Sequence, residues 1–208
     1  MSFKIIVLGS GRGSNARAIL EAEANGQLGA VSTVAIFSDK QEAPILDLAK
    51  EFGKPSKCIP CNPKKARLHP EETKAFLEAI QAHQPDLVVL AGFMKIIDSH
   101  FIESLNGKII NLHPSLLPSF PGINSIETAL NFPVKITGCT VHWVIPEIDA
   151  GMIIDLVDSN KSKSTEVSNF KKELNELKRK VDYNNVETVG VSKRLKTSHV
   201  PTIEKALS

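Results

Sequence analysis

The sequence predicts an α/β fold: a mostly parallel central sheet, helices on both of its faces, and an antiparallel pair of strands at one edge. Three observations lead there. Runs that are apolar on both faces, such as FKIIVL at 3–8 and LVVLA at 87–91, read as buried parallel strands. Segments of helical period separate them and carry recognisable starts and stops. Late in the chain, two strand patterns are joined only by PEIDAG, 146–151, which is too short for a crossover helix and favours antiparallel pairing.

The elements follow in order. The strand over 3–8 enters a glycine-rich turn and then a helix over 16–24, which Asn25-Gly26 is suited to stop. A second strand covers 31–37 and ends at Ser38-Asp39. The next helix spans 43–52, with Ile45, Leu46, Leu48, Ala49 and Phe52 forming its apolar stripe. A short strand near 57–60 precedes a helix over 70–83 that opens on proline, whose missing N–H costs nothing there. After the strand at 87–91 come a helix over 96–105, a strand over 108–112, a short helix over 125–130, and strands over 138–144 and 152–157.

Bulk properties narrow the function classes. The chain has 208 residues, 42% of them hydrophobic and 23% charged. That composition fits one soluble domain with a sizeable core. No apolar run approaches a membrane span, and the strand pattern begins at once without a charged leader, so a cytoplasmic location is expected. Residues 161–208 carry 11 Lys+Arg against 6 Asp+Glu. The acids are interspersed and aromatics are few, so this reads as a solvated surface rather than a nucleic-acid-binding tail.

Two units are expected: a domain over 1–158 and a C-terminal segment over 159–208. Within the segment, Val167, Phe170, Leu174, Leu177 and Val181 recur three and four apart, predicting an amphipathic helix over 164–181 with Ser164 as its N-cap. Two heptads are too few for a secure coiled coil, so docking on the chain's own domain is expected. Beyond 181 no strong period continues, and partial disorder is expected.

Three sets of residues carry chemistry. Gly11-Arg12-Gly13-Ser14-Asn15 follows the first strand; a tight glycine turn opening a helix offers unpaired N–H groups to an anion, phosphate above all. The spacing matches neither the dinucleotide fingerprint nor the P-loop, although Asp39 could imitate a ribose-binding acid. Asn111 and His113 lie two apart on a strand, hence on one face, at the carboxyl end where open α/β sheets bind ligands. Pro114, Pro118 and Pro121 restrict the loop beyond them. An amide N–H beside an imidazolium suits an oxyanion forming on an attacked carbonyl; local backbone capping is the structural alternative. Asp149, two before Gly151, is a common turn residue, but near His113 it would favour the protonated ring.

His142 reads as a satisfied sheet histidine rather than a catalyst. Cys58, Cys61 and Cys139 are too few for a disulfide framework, and no spacing supports a metal site or a covalent nucleophile.

With these residues quoted, the chain resembles the folate-dependent formyltransferases, and within them the phosphoribosylglycinamide formyltransferases. The likeness rests on Gly11–Asn15, on VVLAGFMKII at 88–97, on Asn111-Leu112-His113-Pro114-Ser115-Leu116-Leu117-Pro118 with Pro121-Gly122, and on GCTVHWV and IDAG. It covers roughly residues 3–155. It implies a Rossmann-like formyltransferase fold, a substrate phosphate held at Gly11, Arg12, Gly13, Ser14 and Asn15, and a folate pocket along Met94, Lys95, Ile96, Ile97 and Asn111. Asn111, His113 and Asp149 would be the catalytic set. The implied reaction moves a formyl group from 10-formyltetrahydrofolate, a cosubstrate, to the amine of glycinamide ribonucleotide in purine biosynthesis, without a metal. Partners would be small molecules, with neither nucleic acid nor membrane, and the chain a monomer or homodimer.

Two positions depart from that family. Lys95 stands where it usually has arginine, and Arg67 is the candidate for its other folate-side arginine. After Asp155 its usual continuation, with a glutamine-glutamate-histidine helix, is not matched. A folate- or nucleotide-binding protein without turnover is therefore the alternative from a different class.

Overall fold

The structure, a computed structural model, describes residues 2–132 and 134–158. The expectations for 164–181 and for the residues beyond lie outside them.

Strands β1 (Phe3–Leu8), β2 (Val31–Ser38), β3 (Ser56–Cys58), β4 (Leu87–Leu90), β5 (Ile109–His113), β6 (Gly138–Trp143) and β7 (Ile153–Asp158) form one sheet in the order β3-β2-β1-β4-β5-β6-β7. Pairing is parallel from β3 to β5 and antiparallel for β5/β6 and β6/β7. This is the mixed sheet the sequence predicts. The helices are α1 (Ser14–Ala24), α2 (Pro44–Glu51), α3 (Pro70–Gln81), α4 (Ser99–Ser104) and α5 (Ser125–Asn131).

The unbroken apolar strands make sense because both faces are covered. Ile5 and Val7 pack with Ile19, Leu20, Ile45 and Leu48 of α1 and α2, while Ile6 and Leu8 pack with Phe76, Ile80 and Phe101 of α3 and α4. All four β1 side chains are fully buried. Each contributes roughly 1.5–3 kcal/mol relative to exposure.

One element departs in a way that matters. The helix expected over 96–105 begins only at Ser99. Ile96 instead pairs with Arg67, its N–H donating to the Ala66 carbonyl at 2.9 Å and its carbonyl accepting from Leu68 N at 3.1 Å. Asp98 then caps α4, its Oδ1 accepting from Phe101 N at 2.8 Å. Residues 94–97 are thus not helical, and Ile96 forms an isolated β-bridge.

The sheet order sets where a ligand can bind. From β1 the chain winds outward to β2 and β3, then returns to β4 on the other side of β1. Loops leaving β1 and β4 therefore diverge and open a crevice at the carboxyl ends of the strands.

Candidate active site

A cleft of about 520 Å³ occupies that crevice, bounded by Asn15, by residues 92–97, by Asn111 and His113, and by the turn bearing Asp149. Strand periodicity puts Asn111 and His113 on one face, and antiparallel pairing sets His142 of β6 directly opposite Asn111. His113 is 4% exposed and His142 2% exposed, so every polar atom of these rings needs a partner.

The partners are specific. His113 Nδ1 lies 3.3 Å from Asp149 Oδ2, and its Nε2 lies 3.0 Å from the Phe120 carbonyl. Both ring nitrogens face oxygen acceptors, an arrangement satisfied when both carry a proton. His142 Nδ1 donates to the Trp143 carbonyl at 2.9 Å, which leaves Nε2 to accept from Asn111 Nδ2 at 3.2 Å. One amide N–H of Asn111 is used this way and the other remains for the cleft. Asp149 Oδ1 is 3.5 Å from the same His142 nitrogen.

Asp149 is both a turn residue and a site residue. It has φ 52, a left-handed conformation that aspartate tolerates better than most side chains. Its Oδ2 also accepts from Gly122 N at 2.8 Å, tying the loop after β5 to the hairpin after β6. Ser115 and Thr140, both fully buried, hold that loop as well. Thr140 Oγ1 donates to the Ser115 carbonyl at 2.7 Å and accepts from Leu117 N at 3.0 Å. The prolines therefore act together with a hydrogen-bonded frame.

Burial pushes the Asp149 carboxyl up, but the Gly122 N–H and the charge of His113 outweigh it, so the group is held below its ordinary range. A carboxylate lowered on folding contributes stability above its unfolded pKa, about 3.9, and loses it as pH falls through the lower folded value. Urea midpoints for the parent and Asp149→Asn are therefore expected to differ most above about pH 4 and to converge in stronger acid. A gap that widens on acidification would contradict the assignment.

The glycine turn after β1 leads directly into α1. Gly13 is the N-cap of α1 at φ 76, without a side-chain cap, and no acidic residue occupies the first turn. The first N–H groups of α1 are thus left for an anion. Asn15 lines the cleft; Gly11, Arg12 and Ser14 are exposed in the same turn. Ser10 is buried and its Oγ accepts from Met94 N at 2.8 Å, joining this loop to the other side of the crevice. Gly13 is not a clean probe of phosphate binding, because an added Cβ would lie 2.8 Å from Ile45 Cγ1 in the core. Gly11 has open space and serves better.

Ile96 spends its N–H and carbonyl on residues 66–68, so the backbone groups of Lys95 and Ile97, on either side, are the ones left for a ligand. The Lys95 side chain turns away: its Nζ donates to the carbonyls of Asn62 and Lys65, each at 2.7 Å. Arg67 is exposed beside this stretch but is not among the cleft residues.

The sequence profile of the formyl transferase family matches residues 3–189. The chain belongs to the formyl transferase family. It is 37% identical over 151 residues to phosphoribosylglycinamide formyltransferase of Bacillus subtilis, covering 73% of this chain and 76% of that protein. It is 40% identical over 151 residues to the human trifunctional purine biosynthetic protein adenosine-3, of which the match spans 15%. Crystal structures of phosphoribosylglycinamide formyltransferases agree in fold. That from Anaplasma phagocytophilum superposes with TM-score 0.71 at 33% identity, covering 86% of this chain and 89% of that one. That from Bacillus halodurans gives 0.74 at 28% identity, covering 88% and 100%.

Against this formyltransferase framework, two sequence readings change. His142, read as a sheet histidine, is indeed satisfied within the sheet, yet it also orients Asn111 and borders Asp149. Asp39 cannot act as a ribose-binding acid: it is 3% exposed, and its Oδ1 has no hydrogen-bond partner in the interior. Burial raises the Cys58 thiol and pushes Cys61 up to about 12, the opposite of a reactive thiolate.

Proposed function

We propose that this formyltransferase carries the formyl group of 10-formyltetrahydrofolate to the amine of glycinamide ribonucleotide, a step of purine biosynthesis. The observation that carries the reading is one crevice bordered by three features. These are an anion-binding turn, a stretch with unspent backbone groups suited to a pterin edge, and Asn111, His113 and Asp149 between them.

The amine lone pair attacks the formyl carbon, and the carbonyl electrons move onto oxygen. The free Asn111 N–H and the charge of His113 stabilise that oxyanion. The carbonyl then re-forms, the bond to the folate nitrogen breaks, and the proton lost by the amine passes to that nitrogen, through water or His113. Asp149 offsets the imidazolium charge and holds the ring's orientation. To bond the oxyanion directly, His113 Nε2 exchanges the Phe120 carbonyl for the substrate. The 10-formyltetrahydrofolate is a cosubstrate, the partners are small molecules, and the chain acts in the cytoplasm as a monomer or homodimer.

The substrate class is tested at the phosphate turn. Gly11→Asp adds a carboxylate to the proposed phosphate turn, where its Cβ meets nothing within 4 Å, and is expected to raise KM for glycinamide ribonucleotide at least about tenfold while folate affinity holds. In the parent, a phosphate-free glycinamide riboside is expected to show a comparable loss, and the variant to discriminate little between the two. Equal weakening of both ligands with the fold intact would remove the phosphate from this turn.

A further inference from the structure

Lys95 carries its ammonium inward, and the residue is only 9% exposed. A buried cation has to be matched, and the match here is a pair of backbone carbonyls. Nζ donates to Asn62 O and Lys65 O, each at 2.7 Å, the short length of charge-assisted bonds. Both acceptors belong to one exposed turn. Lys65 N closes it on the Asn62 carbonyl at 3.2 Å, and Lys64 N bonds to Asn62 Oδ1 at 3.0 Å.

The turn is gripped from its other side as well. Asn62 N donates to Glu72 Oε1 at 2.7 Å, and Glu72 Oε2 accepts from His69 N at 2.7 Å at the start of α3. The segment so fixed is the one that sets Ile96, whose N–H meets the Ala66 carbonyl and whose carbonyl meets Leu68 N. Ser10 Oγ accepts from Met94 N and holds the stretch at its other end. Without the ammonium, the carbonyls of Asn62 and Lys65 would converge with no donor between them, and their turn would lose its tie to residue 95.

We propose that Lys95 is a positioning residue: its ammonium fixes the 62–68 segment against 94–97 and so aims the backbone groups that receive the folate, while the side chain itself stays off the ligand. This rests on the reading of 94–97 as the folate side of the cleft. A role in binding a ligand carboxylate would need the ammonium free, and two of its three N–H groups are given to residues 62 and 65.

The test uses the full chain. Acetylation by an N-hydroxysuccinimide ester, read by peptide mass spectrometry, is expected to modify the exposed Lys64 and Lys65 at least about tenfold faster than Lys95, with or without folate, because a buried ammonium reacts only on local opening. Lys95 acetylated as fast as Lys64 in the free protein would overturn the proposal, a result that needs no variant to fold. Lys95→Met removes the donors while keeping a long side chain. Calorimetry is expected to show its affinity for 10-formyltetrahydrofolate at least about tenfold weaker while affinity for glycinamide ribonucleotide holds. The amides of Ile96 and Leu68 are expected to exchange faster while β1 and β4 keep their protection. Lys95→Arg, which restores a cationic donor, is expected to recover most of the folate affinity. Unchanged folate affinity in a folded Lys95→Met variant would overturn the proposal, as would equal loss for both ligands. A parent that binds no 10-formyltetrahydrofolate would overturn this inference together with the proposed reaction.

Discussion

Replacing His113 with alanine is expected to slow formyl transfer at least about a hundredfold while both ligands remain bound. The ring meets Asp149 and the Phe120 carbonyl in the resting protein, and its charge is needed mainly when the formyl oxygen becomes negative. Asn111→Ala removes the neighbouring donor and is expected to cost turnover as well. Asp149→Asn acts through the histidine, because the carboxylate 3.3 Å away supplies the charge that offsets the imidazolium. The double variant His113→Ala/Asp149→Asn is expected to be scarcely slower than His113→Ala, since residues working as one unit are not additive. Steady-state turnover of the parent, both single variants and the double decides it. Losses that multiply independently would return Asp149 to the role of a turn residue.

Gly151→Ala is expected to be the most damaging small substitution in the site. Gly151 is buried, and a methyl group there would fall on the Trp143 carbonyl oxygen. That carbonyl accepts from His142 Nδ1, and Trp143 N bonds to the Met152 carbonyl at 3.0 Å, so it cannot step aside cheaply. Relief requires opening the turn that aims Asp149. The expected result is a stability loss of about 3 kcal/mol and turnover no better than that of Asp149→Asn. Gly11→Ala, where the new methyl meets open space, is expected to stay within about 0.5 kcal/mol of the parent. Urea unfolding and turnover measure both; a parent-like Gly151→Ala would show that the turn has more freedom than its contacts imply.

The frame was legible because its signals are local. β1 occupies Phe3–Leu8 as its unbroken apolar run predicts, and Pro70 opens α3 as its position in the pattern predicts. Period-two alternation was enough to bring Asn111 and His113 to one face. The hairpin between β6 and β7 was readable because PEIDAG leaves room for nothing else. Other features depended on contacts between distant segments. His142 faces Asn111 through the β5/β6 register, and the long connection from 114 to 137 prevents that register from being counted. Ile96 pairs with residues 66–68, which overrides the helical appearance of 96–105 at its start. The Lys95 side chain is claimed by two carbonyls some thirty residues away, a role that no spacing announces.

The proposed reaction moves a formyl group between two bound small molecules, where a binding protein would only hold them. Rapid-quench single turnover with 10-formyltetrahydrofolate labelled in the formyl carbon separates the two, with the full chain in excess and glycinamide ribonucleotide present. The label is expected on the glycinamide amine within the first turnover, with none released as formate. Label that stays on the folate while both ligands are bound, or that appears as free formate, would rule out formyl transfer to the amine.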